Sequence, residues 1–158
     1  MSFLVGVFLL YPKIAANGII ISMHETFDHT ADLGWRIRTA DLDSLFAEAG
    51  QAIFETIVED LKTIRLEKRV DITLAGEEVD YLLFDWLKEL LYHFDSEHLL
   101  LSKFEVHVSK NGLSGSAWGE PLDRSRHQPE HEVKAITYHG LRVEQTPEGW
   151  LAEVIVDI

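Results

Sequence analysis

The steadiest periodicity in the chain runs from residue 79 to residue 94. Val79, Leu82, Leu83, Trp86, Leu87, Leu90, Leu91 and Phe94 recur at i, i+3, i+4 and i+7, which predicts an amphipathic helix. A second helix is predicted after Asp41, a residue suited to cap it. Leu42, Leu45, Phe46, Ala49, Ile53 and Ile57 then share one face. Aromatic and leucine residues on such stripes are core, not a cofactor box.

Elsewhere the period drops to two. Thr26 to His29 reads as a short strand, followed by a turn through Asp32 and Gly34. In the next strand Trp35 and Ile37 alternate with Arg36 and Arg38. Val70, Ile72 and Leu74 alternate with Arg69, Asp71 and Thr73. Phe104, Val106 and Val108 alternate with Glu105, His107 and Ser109. The pair Asn111-Gly112 then signals a hairpin, with a return strand carrying Leu113, Ala117 and Trp118. "EPLDRSRHQPEHE" is polar and broken by prolines, which predicts a surface loop. Strand pattern resumes from Val133 to Val143, bent at Gly140. "TPEG" makes a turn, and "WLAEVIVDI" is a final strand. Helices do not alternate regularly with strands, so no doubly wound nucleotide fold is indicated. The expectation is α+β: a mixed, largely antiparallel β-sheet with two packed α-helices in a single domain.

Composition narrows the chemistry. The 158 residues include no cysteine, which excludes disulfides, thiolate metal sites and thiol nucleophiles, and a cytoplasmic address fits. The formal net charge is -13. Nucleic-acid affinity comes largely from Lys and Arg on phosphates, so direct RNA binding is not expected. Acidity suits a basic protein surface, a hard cation, or plain solubility. Residues 1–22 hold an apolar run, Phe3 to Leu10, far short of the ~20 residues that span a membrane. No basic segment precedes it as in a secretory signal, and Pro12 and Gly18 break any helix. They are read as a non-native or disordered extension, with a weak signal peptide as the runner-up, and the domain as residues 23–158.

No phosphate-binding loop, dinucleotide fingerprint or nucleophile elbow occurs. His127 and His131 have the spacing of two ligands on a helix, but Pro129 between them removes the helix and leaves a solvated loop. Two acidic features stand out. "FDHTADLG" gathers Asp28, His29 and Asp32 beside a strand, where aspartates also have the ordinary role of capping a turn. At the far end an apolar strand places Asp157 next to the terminal Ile158, adding a side-chain and a chain-end carboxylate. If the two ends met, the carboxylates would repel unless a cation sat between them. All-oxygen ligation selects a hard divalent ion, Ca²⁺, Mg²⁺ or Mn²⁺. Such a site falls short of the ~6–8 oxygens calcium takes, leaving room for water or a docked group.

"FDHTADLG", "EVKAITYHGLRVE" and the terminal "VIVDI" together resemble the archease family, in the right order and with the last flush with the chain end. The resemblance covers Met23 to Ile158, which also makes a mis-assigned start codon the simplest source of the extension. It implies a small acidic α+β protein that activates the RNA ligase of tRNA splicing. That ligase joins 3′-phosphate or cyclic-phosphate ends to 5′-hydroxyl ends, using GTP and divalent metal through a guanylylated histidine. The activator promotes guanylylation and multiple turnover, meets tRNA only through the ligase, and is not itself an enzyme. Family metal ligands fall on Asp32, Asp157 and Ile158, the last through backbone or terminal oxygen. Lys134 matches a lysine acting beside them, and Asp28 and His29 take supporting roles. Calcium is expected in the isolated protein, with manganese or magnesium in function.

Two other readings compete. A chaperone-like partner of RNA-modifying enzymes would use acidity itself as its working property. A metal-dependent hydrolase would need a general base beside the ion, and His29 is the nearby candidate.

Overall fold

The computed structural model describes residues 13–14, 20–29 and 32–158, with side chains described for 23–27 and 32–158. The order is β1 (Lys13–Ile14), β2 (Ile20–His29), β3 (Asp32–Thr39), α1 (Leu42–Ile57), β4 (Lys68–Ala75), α2 (Val79–Glu97), β5 (Leu99–Ser109), β6 (Gly112–Pro121), β7 (Ala135–Ile136), β8 (Arg142–Thr146) and β9 (Gly149–Asp157). The α+β class holds, with every described strand pair antiparallel. The expected single sheet is divided in two. One sheet runs β1-β2-β3-β9, with β7 and β8 following each other along the far edge of β9, and the other runs β4-β6-β5.

Both helices lie between the sheets. One side of α1 rests on β5 and the other on β2, β3 and β9, while α2 touches β4, β5 and β6 as well as β7 and β8. Asp41 caps α1 as its position predicts, accepting the Ser44 N–H at 2.8 Å. α2 ends where His98 turns left-handed at φ 52°. The predicted stripes face inward: Leu45, Phe46 and Ile53 of α1 and Leu83, Trp86, Leu87 and Leu90 of α2 are all buried in one core. Each such side chain contributes about 1.5–3 kcal/mol by leaving water. The Trp86 indole N–H donates to the Phe46 carbonyl at 2.9 Å, so the largest ring of α2 is buried without stranding its polar atom.

Several local expectations are corrected. Asp32 and Gly34 belong to β3 rather than to a turn. Gly34 is required because the Phe27 ring lies across it, and a Cβ there would sit 2.1 Å from a ring carbon. In the β5–β6 hairpin Ser109 pairs with Gly112, so the connection is Lys110-Asn111 and Gly112 already belongs to the strand. A Cβ on Gly112 would strike the Leu74 carbonyl at 2.1 Å, so close approach of β4 demands this glycine. β2 begins at Ile20, and its Ser22 pairs with Thr39. The polar loop is anchored rather than solvated throughout. Glu120 and His127 are buried, Arg126 pairs with Glu120, and His127 Nε2 lies 2.9 Å from Glu120 Oε1. His127 Nδ1 accepts the Asp123 N–H at 2.9 Å.

A buried ion cluster fastens β2 to α1. His24 lies with Nδ1 2.7 Å from Glu48 and Nε2 2.5 Å from Glu55. Burial alone lowers the pKa of this imidazole, but the hydrogen bonds to Glu48 and Glu55 outweigh it and raise it to about 9. A raised pKa stabilises the fold fully below the unfolded value of about 6.5 and is lost as pH rises through about 9. Denaturant unfolding should therefore show stability falling between pH 6.5 and 10, by up to about 3 kcal/mol. His24→Gln should be less stable at pH 6 and should lack that slope. Equal slopes in the two proteins would show that His24 is not charged in the native state.

Candidate functional site at the β3–β9 junction

The two acidic ends of the chain meet. Asp32, the first residue of β3, is the direct register partner of Asp157, the last residue of β9. Residues directly opposite in an antiparallel pair share a face, with Cβ atoms about 4.5–5.5 Å apart. That face is the one turned away from the helices. On the other face Leu33, Trp35 and Ile37 of β3 and Ala152, Val154 and Val156 of β9 enter the core. Asp157 is held from its second side as well: Ala135 of β7 is its register partner there, and the Lys134 N–H donates to its carbonyl at 2.8 Å. Lys134 is exposed, Asp32 and Asp157 are half-buried, and Ile158 packs partly against the core. Asp32, Asp157, Lys134 and Ile158 thus lie within one corner of the sheet.

Asp28 and His29 are described in backbone only, and any supporting role they have rests on side chains outside the described residues. By register His29 stands opposite Asp32, and Asp28 opposite Leu33.

Along the same outer face the sheet carries an alternating charge ladder. Arg36 bonds Glu153 at 2.9 Å and Glu25 at 3.0 Å, while Arg142 bonds Glu153 at 3.0 Å and Glu144 at 3.1 Å. Burial works against the Glu153 carboxylate, but the bonds from Arg142 and Arg36 outweigh it and hold its pKa below the usual range. The Arg36 guanidinium also lies 5.4 Å from the centre of the Phe27 ring. Asp32 and Asp157 lie beyond the described end of this ladder as a like-charge pair.

Among the described residues no group of three or more His, Asp and Glu side chains is close enough to hold a metal. Asp32 and Asp157 bring two side-chain carboxylates to the corner, both oxygen donors. That set suits a hard cation whose remaining positions are filled from outside, and it does not suit a closed zinc site. His127 and His131 form no metal pair: His127 is committed to Glu120 and Asp123, and His131 is exposed on the surface.

Comparison with known proteins agrees with this architecture. Residues 24–158 match the family described as "Archease protein family (MTH1598/TM1083)". The chain belongs to the archease family. It is 40% identical over 139 residues to "Protein archease" of Pyrococcus furiosus, covering 85% of this chain and 97% of that protein. The archease of Methanopyrus kandleri is 37% identical over 138 residues, covering 85% of this chain and 98% of its own. Among solved structures, the solution structure of Methanobacterium thermoautotrophicum protein 1598 superposes with a TM-score of 0.73 at 36% identity, covering 85% of this chain and 98% of that one.

Pattern reading missed the buried partners of this archease fold. Glu120 and His127 lay in a stretch whose composition is that of a loop, and His24 stood alone in sequence, its carboxylates 24 and 31 residues away. The like-charge pairing has a measurable consequence. A double-mutant cycle with Asp32→Asn and Asp157→Asn, run with chelator at low salt, should give a repulsive coupling of about 0.2–1 kcal/mol that shrinks as salt is added. A coupling of zero or of attractive sign would mean the two carboxylates do not face each other.

Proposed function

We propose that this archease-family chain is a cytoplasmic, non-enzymatic activator of a GTP-dependent RNA ligase in tRNA splicing or RNA repair. It promotes ligase guanylylation and repeated turnover through a divalent cation shared between Asp32, Asp157 and Ile158. Family membership supports the ligase partner. The observation that carries the site is the register of Asp32 on Asp157, which puts two carboxylates where neither can relieve the other.

Strand pairing holds Asp32 and Asp157 in place. Asp157 is fixed on both sides by pairing, so its carboxylate is presented rigidly and little ordering remains for the moment of docking. Lys134 immediately precedes the strand that flanks Asp157 and brings a cation to the same corner, suited to phosphate oxygens. A bound divalent ion supplies neutralisation of charge developing on a phosphoryl group. Ile158 contributes an oxygen, while its side chain packs partly against the core. The net charge of -13 steers the protein toward a basic, RNA-binding enzyme and away from RNA itself. No helix among the described residues is long and apolar enough to cross a membrane.

The rival reading, a chaperone-like solubilising partner, draws on the same net charge and separates cleanly in experiment. Asp32→Ala, Asp157→Ala and Lys134→Ala should each fold normally and still bind the ligase. Each should lower stimulation of guanylylation by at least about 10–100-fold, the loss typical of damage around a metal site. In thermal unfolding, Ca²⁺ at ~100 times its dissociation constant should stabilise the wild type by about 2.7 kcal/mol and leave Asp157→Ala unmoved. Full stimulation by the aspartate variants, with loss only on broad charge reduction, would favour the chaperone reading instead.

A further inference from the structure

A second feature lies on a different part of the surface, where the loop after β7 meets the start of α2. Exposed large apolar side chains are few among the described residues, and two of the four, Tyr81 (54% exposed) and Tyr138 (58% exposed), stand together here. Tyr138 is stacked on Phe84 with ring centres 3.9 Å apart and planes 15° from parallel. Tyr81 meets Tyr138 at 5.8 Å and 68°. Phe84 is buried, so it holds Tyr138 from below while Tyr81 forms a second wall nearly at right angles. With Leu141, Glu78 and Asp80 these two rings line an open pocket of about 390 Å³.

The chemistry of that lining is selective. Glu78 and Asp80 have no ion-pair partner among the described residues, in contrast to the surface acids Asp71 and Glu105, which pair with Arg69 and Lys103. Two free carboxylates beside two electron-rich ring faces repel phosphate, nucleic acid and anionic lipid, and attract a cation. The N-terminal end of α2 carries partial positive charge that would oppose a cation, and the two carboxylates offset it. The aromatic corner favours a flat, weakly hydrated cation, which can lie against a ring and still bond a carboxylate. Arginine fits that description better than lysine.

We propose that this pocket receives an arginine side chain from the basic surface of the partner ligase, as a docking anchor separate from the Asp32–Asp157 corner. The proposal rests on the reading of this chain as a ligase activator and adds where the partner grips. Tyr138 lies on the segment that carries Lys134, so an anchored arginine would hold the partner at the end of β7 opposite the acidic corner. Arginine in an aromatic pocket is a common form of binding hot spot.

The test uses the full chain and its ligase, with two independent arms. In the first, Tyr81→Ser and the double variant Glu78→Gln/Asp80→Asn change exposed or half-buried groups and leave Phe84 covered by Tyr138. Each should weaken ligase binding about 10–100-fold, the range of an anchor residue. Maximal stimulation of guanylylation should be unchanged at saturating activator, and only the concentration for half-stimulation should rise. Asp32→Ala should do the reverse, keeping affinity and losing maximal stimulation. Wild-type affinity in both pocket variants would overturn the proposal while leaving the activator reading intact. In the second arm, N-acetyl-arginine methylamide should shift the Tyr81 and Tyr138 ring resonances in NMR, and the uncharged citrulline analogue should not. Absence of a shift, or equal shifts with both probes, would overturn the pocket's cation selectivity even if the ligase proved not to be the partner.

Discussion

The antiparallel register between β3 and β9 is the constraint on which the acidic corner depends. It sets Trp35 against Val154 and Leu33 against Val156 on the face that meets the helices, and Asp32 against Asp157 on the opposite face. Side chains alternate along a strand with a period of two, so a slip of one residue would turn Asp157 into the core and Val156 out of it. Trp35, Ile37, Val154 and Val156 are fully buried, so the core forbids the slip. Hydrophobic packing on one side of the sheet therefore dictates which charges meet on the other, and like charges are brought together by apolar side chains that never touch them.

Further contacts make that register hard to disturb. β9 is flanked on both sides, by β3 and by β7 followed by β8. Phe27 closes over Gly34 one step from Asp32, and Arg36 bridges Glu25 and Glu153 across three strands. The His24 cluster fastens β2 to α1, and the Glu120 cluster fastens the long loop to the end of β6. Both consist of polar groups deep enough to be costly unless satisfied, and each joins segments distant in sequence. They fix where the strands stand.

Much of this was legible in the chain. The leucine stripe of α2, the Asp41 cap and the Trp35–Ile37 alternation reappear as α1, α2 and β3, because period and capping are local properties. The meeting of Asp32 with Asp157 could be posed as a condition but not read off, since the pairing of residues 125 positions apart is decided by the core as a whole. Gly34 read as a turn residue because glycine signals both turns and close approach, and only the Phe27 ring tells them apart. His127 read as solvated because its neighbours are polar, although Glu120 is positioned to keep it inside. Tyr81 and Tyr138 carried no signal at all: they are 57 residues apart, and each alone is an ordinary surface aromatic.

The function proposed for this chain turns on whether the paired carboxylates share an ion. Crystals of the full chain soaked in Mn²⁺ and measured at the manganese edge address it most directly. An anomalous peak at bonding distance from carboxylate oxygens of both Asp32 and Asp157, absent from Asp157→Ala crystals grown alike, is the predicted result. A map with no peak at that corner, or with manganese bound elsewhere and both aspartates turned apart, would contradict it.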